Sequence, residues 1–478
     1  MQRRLRNRAG RALPTHATCF PLPTVPLSRA RAVTYAEATA FLYGLRRFGW
    51  RPGLATIERL VSLLGDPQAG IPFIHVAGTN GKGSTAAMLD SILRAAGLRT
   101  GLYTSPHLER INERMRIGGR DIPDEDFAAA WTRVQAAIES LLAAGRLAAH
   151  PTYFECITAM AFVAFAVPES RRVDFAVYET GLGGRLDATN IVVPEVAVIT
   201  SIDFDHENFL GYSIEEIAGE KAGIIKPGSW VVSSAERPEA RAVIARRCRD
   251  LDARLVEVDA AWKIEDLHSS DGCYRAVAAA PHSRKKLAIE PPLPGRFQIR
   301  NALAAATAAR LLAERGFPVE DAAIEQGIRA VRWPGRLECL SQRPAVYLDG
   351  THNPSGAREL VKFWEENFQG RRILLVYGAM RDKAVDEIAG LLFPHADLVL
   401  LTEPRQPRAI SAPLLAEMTA HLAKHSAIVP DPAEALERAI AAASPDDAVF
   451  ATGSLYLVGD LRGYWAKRRT PTGASPTP

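Results

Sequence analysis

The chain has few cysteines, and no two of them are close together. Five cysteines are spread over 478 residues, and none belongs to a CxxC pair. An odd, scattered set of this kind indicates neither a disulfide framework nor a zinc site. We therefore expect the protein in a reducing compartment, the cytoplasm, where free thiols persist.

Long apolar runs are also missing. The longest one follows Glu155 and extends from Cys156 to Val167. A helix needs about 20 predominantly apolar residues to cross a bilayer, so this run is too short and is typical of a buried helix. We expect no interaction with a membrane.

Acidic residues are absent from the first 36 positions, where seven arginines occur and Glu37 is the first carboxylate. The formal net charge is +4, so without these seven arginines the rest of the chain carries about −3. Such a body has no excess of positive charge for binding nucleic acid. Residues 1–32 are broken by prolines and predict a disordered Arg-rich extension. A start codon assigned too early is an alternative, and an organelle transit peptide is a weaker one.

The most informative stretch is rich in glycine and lies between an apolar run and a helical pattern. The run Ile74 to Ala77 is typical of a buried parallel strand, and the spacing from Thr85 to Ala95 predicts a helix. The glycines between them leave the backbone free to curl around an anion at the start of the helix. We expect nucleotide phosphates to bind to the loop residues Gly78, Thr79, Asn80, Gly81, Lys82, Gly83 and Ser84.

This loop is a variant of the usual phosphate-binding pattern. The ammonium of Lys82 can reach the β- and γ-phosphates, and Ser84 or Thr85 can approach Mg²⁺. The strict pattern requires a glycine at position 76, where this chain has Val76. An ordinary turn with an exposed lysine is the alternative, and the combination of strand, glycines, lysine, hydroxyls and helix argues against it.

Strands and helices alternate along the chain, which predicts an α/β fold with a mostly parallel sheet and helices on both faces. Ligands bind beyond the carboxyl ends of the strands in such sheets. Ser105, Glu179 and His206 each follow a predicted strand. Hydroxyl and carboxylate oxygens suit Mg²⁺, and one imidazole can join them. The alternative is that these are ordinary polar residues at strand ends.

The stretch Trp333-Pro334-Gly335-Arg336 contains a Pro-Gly pair that interrupts regular secondary structure, and we place the start of a second domain there. We assign residues 33–332 to a nucleotide-binding domain, 333–466 to a smaller Rossmann-like α/β domain and 467–478 to a disordered tail. Residues 230–294 form a less regular segment of the first domain. The residue types alone do not decide the role of Lys221, which could be an ordinary lysine on the surface of a helix. They also do not decide the role of residues 349–354. Asp349 and His352 could face a nucleotide, and an ordinary Asn-Pro turn is the alternative.

Eight motifs together carry a family resemblance. They are HVAGTNGKGST, TSPHL, ETGLGGRLDATN, SIDFDHENFLG, GEKAGIIKPG, PGRLE, DGTHNP and GSLYLVG. In this order the chain resembles folylpolyglutamate synthases and the bifunctional dihydrofolate/folylpolyglutamate synthases of the Mur ligase superfamily, over roughly Val33 to Ala466. DGTHNP alone is a weak motif, but the eight together are specific.

The resemblance implies an ATP-dependent ligase that adds L-glutamate to folates such as tetrahydrofolate, and to dihydropteroate, through an acyl phosphate. It implies a first Mg²⁺ site at Ser105, Glu179 and His206, and a carbamylated Lys221 at a second Mg²⁺. Lys82, Lys221 and His206 are the implied catalytic residues. The only partners implied are small molecules, and we expect a monomer.

The resemblance also implies the remaining substrate contacts. Asn301, Arg336, Asp349 and His352 match residues around adenine, ribose and phosphate. The pterin-substrate region of the bifunctional members corresponds to Thr152, Tyr153, Phe154, Glu155, Leu186, Asp187 and Ala188. Two features depart from the family: the Arg-rich extension has no counterpart, and Asp203, at a usually apolar position, could add a metal contact.

Three other functions share part of this pattern. A cell-wall Mur ligase is disfavoured by GLGGRLDATN and by the forty or so ordered residues before the phosphate loop, which leave no room for a UDP-binding domain. A phosphate-loop NTPase would not need the motifs of the second domain. A non-catalytic nucleotide-binding module would not need every catalytic position to be filled.

The extension provides the first prediction. Deleting residues 1–30 should change neither melting temperature nor activity, because so polar and proline-broken a segment buries little apolar surface. The measurement is thermal unfolding of the full-length and shortened proteins. A fall of several degrees on deletion would show that the segment packs against the body.

Overall fold

The computed structural model describes residues 32–45, 51–168, 171–281 and 285–469. The predicted extension therefore lies outside the described residues except for its last position. The predicted tail lies outside them from residue 470 onwards. In the described part of the chain, no helix is long and apolar enough to cross a bilayer.

The first domain contains eleven described helices and eleven described strands. Its helices are α1 (Tyr35–Leu45), α2 (Ala55–Leu63), α3 (Lys82–Ala95), α4 (Asp124–Ala143), α5 (Tyr153–Ala166), α6 (Glu207–Leu210), α7 (Ile214–Ala222), α8 (Pro238–Asp250), α9 (Val258–Ala261), α10 (Phe297–Glu314) and α11 (Asp321–Ala330). Its strands are β1 (Phe73–Ala77), β2 (Thr100–Tyr103), β3 (Met115–Ile117), β4 (Arg120–Asp121), β5 (Phe175–Glu179), β6 (Val196–Ile199), β7 (Trp230–Ser233), β8 (Arg254–Glu257), β9 (Lys263–Ser270), β10 (Cys273–Ala279) and β11 (Lys286–Ile289).

Eight of these strands form one sheet in the order β4-β3-β2-β5-β1-β6-β7-β8. The strands from β2 to β8 in this order are parallel, and only β3 and β4 are antiparallel at one edge. β1 lies between β5 and β6, so the loop that follows it leaves the middle of the sheet. The predicted mostly parallel sheet is confirmed.

Both faces of this sheet are covered by helices. Ile74 and Val76 of β1 belong to the core under α3, α10 and α11. Phe73, on the opposite face, packs with α1, α2, α4 and α5, and Ala77 packs with α7 and α8. Alternate residues of a strand point to opposite faces, so β1 needs apolar side chains on both sides. This explains the continuous apolar character that predicted a buried strand.

The prediction of a less regular segment at 230–294 was wrong. It contains β7, β8 and α8 of the main fold and an antiparallel sheet in the order β11-β10-β9. Seven of the eight residues of β9 are exposed, so that strand shows no apolar alternation. Tyr274, Ala276 and Ala278 on β10 attach the small sheet to the core around α10.

The second domain is smaller and also α/β. Six strands, in the order β12-β13-β17-β14-β15-β16, are parallel except for the edge strand β12. The strands are β12 (Glu338–Gln342), β13 (Ala345–Leu348), β14 (Ile373–Tyr377), β15 (Leu398–Leu401), β16 (Ser426–Ile428) and β17 (Ala448–Thr452). The helices are α12 (Pro354–Asn367), α13 (Val385–Leu392), α14 (Ala412–Thr419), α15 (Pro432–Ala442) and α16 (Leu455–Arg469). α16 continues three residues past the predicted boundary at Ala466.

The two domains pack through the loop after β2 and the face of α16. Arg462 of α16 forms ion pairs with Glu109 of that loop and with Glu338 of β12. A side chain at Gly459 would lie 2.2 Å from the carbonyl oxygen of Leu108, so α16 approaches the loop backbone closely. This packing turns the carboxyl ends of strands from both sheets toward one cleft.

Candidate active site

One large cavity of about 2190 Å³ lies between the two domains. The residues that the sequence analysis assigned to the phosphate loop, the metal, the nucleotide and the pterin substrate contribute to its wall, except for Thr85 and Asp203, which were named as possible metal contacts. Strand ends of both sheets face it, as expected for open parallel sheets. The structure therefore brings the predicted site residues together, while their individual roles stay predictions.

The phosphate loop depends on glycine at two positions. Gly78 has a φ of +151° and Gly81 one of +84°, where L side chains are rarely found. A Cβ at Gly81 would lie 2.3 Å from the side-chain oxygen of Asn301. α3 begins at Lys82, three residues before the predicted start, and Gly81 is its N-cap. The first N–H groups of α3 therefore lie at the cavity, where they can bind an anion.

Lys82 folds back on its own loop. Its Nζ donates to the carbonyl oxygens of Gly78 and Thr79, both at 3.0 Å. Burial lowers the pKa of Lys82, and the nearby carboxylates Glu179 and Asp205 oppose that shift. The Lys82 ammonium thus lies near both negatively and positively charged side chains. It is also at the start of α3, whose first N–H groups would face a phosphate.

Lys221 lies in the same place from a different helix. Only 4% of its surface is exposed, so the surface-lysine alternative is wrong. Its Nζ donates to the carbonyl oxygen of Gly78 at 2.8 Å, the same oxygen that Lys82 contacts. Burial first, and then the charge of Lys82, lowers the pKa of Lys221 to about 7. A large fraction of Lys221 is therefore a free amine at neutral pH, which is unusual for lysine.

Of the three residues predicted to bind the first Mg²⁺, Ser105 and Glu179 are adjacent. The carboxylate of Glu179 accepts a hydrogen bond from the backbone N–H of Ser105 at 3.1 Å. Burial raises the pKa of Glu179, which Lys82 opposes. The third, His206, has a pKa lowered to about 4, mainly by burial, so its ring is neutral. Among the described residues, no group of three or more His, Cys, Asp or Glu side chains is arranged so that it could hold a metal ion by itself. This set would therefore need oxygens from water or phosphate to complete a Mg²⁺ shell.

Sequence reasoning missed the residue that meets His206 from the second domain. Lys383 Nζ donates to Asp205 Oδ1 at 2.8 Å and to His206 Nε2 at 3.2 Å. Burial alone would raise the pKa of Asp205, but Lys383 and the neighbouring histidines hold it well below its usual range. Lys383 follows β14, so the strand-end rule that selected Asp349 could also have selected it.

Three of the four predicted nucleotide contacts, Asn301, Asp349 and His352, are already hydrogen-bonded within the protein. Asn301 donates to Gln298 at 3.0 Å beside the phosphate loop. Both oxygens of Asp349 accept backbone N–H groups, from Leu337 and Thr351. His352 contacts the carbonyl oxygen of Gly350 through Nδ1 at 2.7 Å. These contacts fix the side chains at the cavity wall before any ligand binds.

The residues predicted to contact the pterin substrate lie at the start of α5 and in the glycine-rich loop 181–190. Thr152 and Glu155 form a capping box at that start, with each side chain bonded to the other residue's backbone N–H. Thr152 and Glu155 therefore have a local structural task as well as a place in the cavity. A Cβ at Gly181 would lie 2.4 Å from the ring of Phe154, so the loop and the helix fit together only with glycine there.

Asp203, the possible extra metal contact, has a different environment. Arg237 of its own domain lies 2.8 Å from one carboxylate oxygen, and Arg358 of the second domain lies 3.2 Å from the other. Asp203 does not line the cavity. The Asp203 side chain therefore bridges the two domains and does not face the predicted metal site.

Comparison with known proteins agrees with this geometry. Residues 76–309 match the Mur ligase middle domain, and residues 335–455 match the Mur ligase glutamate ligase domain. The fold and the cavity thus define a ligase of the Mur class.

Within that class, the chain belongs to the dihydrofolate synthase/folylpolyglutamate synthase family. It is 37% identical over 440 residues to the dihydrofolate synthase/folylpolyglutamate synthase of Bacillus subtilis, covering 90% of this chain and 98% of the relative. It resembles the Mycobacterium tuberculosis folylpolyglutamate synthase complexed with ADP and AMPPCP, with TM-score 0.81, 32% identity and coverage of 92% and 100%. For Escherichia coli FolC in complex with DHPP and ADP, the TM-score is 0.80, at 32% identity and coverage of 92% and 99%.

Asp203 provides the second prediction. Asp203→Ala should loosen the domain interface, because Arg358 loses its partner across it. An ion pair with half-exposed arginines contributes up to about 1 kcal/mol, so hydrogen exchange of amides at the interface should accelerate by up to about fivefold. The matched control is Glu387→Ala, since Glu387 pairs with Arg358 inside the second domain. Equal exchange rates in the two variants would contradict the bridging role.

Proposed function

We propose that this protein is an ATP-dependent ligase that joins L-glutamate to folates, and to dihydropteroate, through an acyl phosphate. The observation that carries the proposal is the single cavity that contains the phosphate loop, Lys82 and the pterin-region residues of the first domain beside Arg336, Asp349 and His352 of the second. Family membership favours this reaction over that of a cell-wall ligase. The relatives with ADP, AMPPCP and DHPP bound support nucleotide and pterin substrates.

The first step is activation of a carboxylate, which is a poor electrophile at neutral pH. An oxygen of the substrate carboxylate attacks the γ-phosphorus of ATP, and ADP leaves. Lys82 and the first N–H groups of α3 stabilise the negative charge on the transferred phosphoryl group. Lys82 must then exchange its contacts with Gly78 and Thr79 for phosphate oxygens.

The second step is attack by the amine of glutamate. The neutral amine adds to the acyl carbon, phosphate leaves from the tetrahedral intermediate, and the amine loses a proton. Three substrates must be held in one orientation, so positioning supplies much of the rate. Contacts between the domains, such as Asp205 with Lys383, hold the two walls of the cavity together, and this would limit the water that could hydrolyse the acyl phosphate.

The residues present fit Mg²⁺ as a bound cofactor. Ser105 and Glu179 supply neighbouring oxygen donors, and the neutral ring of His206 has a basic nitrogen that Lys383 contacts in this structure. When bound, Mg²⁺ would neutralise phosphate charge. A second Mg²⁺ would be held by Lys221 after carbamylation, because an ammonium would repel the cation. Monomeric state and cytoplasmic location stay predictions.

The proposal is tested by ADP release. The wild-type protein should release ADP when given ATP, Mg²⁺, glutamate and either tetrahydrofolate or dihydropteroate, and should release much less when the pterin substrate is omitted. Lys82→Ala should lower turnover by about a hundredfold or more, since a transition-state charge contact is lost. Circular dichroism provides the control that the variant folds. A folded variant with near-normal turnover would refute the assignment of Lys82, and wild-type inactivity with both substrates would refute the function.

Lys221 provides a separate test. Its free amine can react with CO₂ to give a carbamate and a proton, and the amine fraction rises as pH rises through about 7. Lys221→Ala should lower turnover by about a hundredfold or more, and acetate should restore part of it by supplying oxygens in the vacated space. Lys221→Arg should stay inactive with acetate, because its cation fills that space.

The same variants allow a readout besides turnover. A ¹³C carbamate signal should appear in the wild-type protein with ¹³C-labelled bicarbonate and be absent from Lys221→Ala. If Lys221→Ala keeps full activity, the second metal site is wrong. If it is inactive, is not rescued by acetate, and the wild-type protein gives no carbamate signal, Lys221 has a structural role only.

A further inference from the structure

A fully buried histidine lies directly under the phosphate loop and outside the cavity. His75 is on β1, between Tyr178 of β5 and Ala197 of β6, and none of its surface is exposed. It points away from the core that Ile74 and Val76 form with α3. Burying a polar ring is costly unless it is hydrogen-bonded, so its contacts indicate why it is there.

His75 begins a chain of hydrogen bonds that ends in the glycine-rich loop. Its Nε2 lies 2.8 Å from Thr189 Oγ1. Thr189 Oγ1 donates in turn to Asp187 Oδ1 at 2.5 Å. A threonine hydroxyl has one proton, and here it is given to the carboxylate. Nε2 must therefore be the donor in the contact between His75 and Thr189.

Asp187 holds the loop around itself. Oδ1 also accepts the N–H of Thr189, and Oδ2 accepts the N–H groups of Gly181 and Leu182, all between 2.9 and 3.0 Å. Four donors match the acceptor capacity of one carboxylate. The two ends of the stretch 181–189 are thus tied to one side chain, and Gly181 fits against the ring of Phe154 in the pterin region.

The second nitrogen of His75 supports the same proton arrangement. Nδ1 is buried and has no hydrogen-bond partner among the described residues. Burial, and then the charge of Lys226, lowers the pKa of His75 to about 3, so the ring is neutral at physiological pH. A neutral ring whose single proton is on Nε2 can serve only as a fixed donor to Thr189.

We propose that His75 is a positioning residue for the pterin end of the substrate, acting through Thr189 and Asp187 on the loop that forms one wall of that subsite. The inference rests on the proposed function, because the pterin assignment of this loop belongs to it. Losing the donor leaves the Thr189 hydroxyl held by Asp187 alone and the carboxylate less well fixed, so the wall loosens. The phosphate loop, which follows the carboxyl end of β1, keeps its own contacts.

The test compares variants that keep or remove the donor. His75→Gln keeps an N–H in the position of Nε2, whereas His75→Met and Thr189→Val break the chain. Both breaking variants should raise the KM and the Kd for dihydropteroate by about tenfold, the usual effect of one lost buried hydrogen bond. The kcat and the KM for ATP should stay within about twofold, and His75→Gln should resemble the wild type. The double variant should be no worse than either single one, since both act through one chain.

Thr100→Val is the matched control. Thr100 is also buried on the same sheet and donates to a buried carboxylate, Asp90, at 2.5 Å, but it does not line the cavity. It should lower the melting temperature without changing the KM for dihydropteroate. The inference is overturned if His75→Met shows the same pattern as this control. It is also overturned if His75→Gln is as impaired as His75→Met, or if the KM for ATP rises equally.

Direct binding separates this inference from the proposed function. If the wild-type protein binds dihydropteroate but ligates glutamate neither to it nor to tetrahydrofolate, the function is wrong and the Kd values still decide the role of His75. If the wild-type protein ligates normally and the variants show no pterin effect, only the inference fails. If neither dihydropteroate nor tetrahydrofolate binds, both are overturned.

Discussion

The buried ion pair between Asp205 and Lys383 is the interaction on which the arrangement of the site depends. Each side chain exposes about a tenth of its surface, and the two belong to different domains. Removing one partner of such a pair leaves a largely buried charge unpaired and costs about 3–5 kcal/mol, so each side chain requires the other domain's side chain opposite it when the domains are docked. Because Asp205 follows β6 and Lys383 follows β14, this arrangement places the carboxyl ends of the two sheets face to face.

The cavity behind this pair collects positive charge before any nucleotide binds. Lys82 and Lys221 contact one carbonyl oxygen, and the half-buried Arg336 is among the charged neighbours that affect the pKa of Lys82. Burial lowers the pKa of Lys82 and Arg336, which means that each of these charges is held at a cost in hydration, and it lowers the pKa of Lys221 far enough that a large fraction of that lysine is uncharged. Phosphate oxygens in the same water-poor space would repay that cost through strong electrostatic attraction. The substrate that the site favours is therefore one that brings several negative charges at once.

The parts of this architecture that were predicted correctly are those determined by residues close together in the sequence. The strand–glycine–helix sequence around Lys82 and the apolar runs of both sheets are local, and the structure has them within a few residues. Lys383 and the bridge from Asp203 to Arg358 depend on how the two domains dock, which no local pattern encodes. The exposed strand β9 escaped notice because it lacks apolar alternation. His75 was visible only as one letter of a phosphate-loop motif, and its contact with Thr189 joins residues 114 positions apart.

Strand β1 connects the two parts of the cavity that are proposed to bind the nucleotide and the pterin. The carboxyl end of β1 continues into the phosphate loop. His75, in the middle of the same strand, contacts Thr189 of the glycine-rich loop that is predicted to contact the pterin. A reaction between two bound substrates requires their reacting atoms to stay within about 3–3.5 Å, and small displacements lower the rate strongly. A central strand paired on both sides is among the most rigid elements of a domain, since opening it exposes the core. Attaching both pockets to one such strand fixes their separation more firmly than two independent loops could.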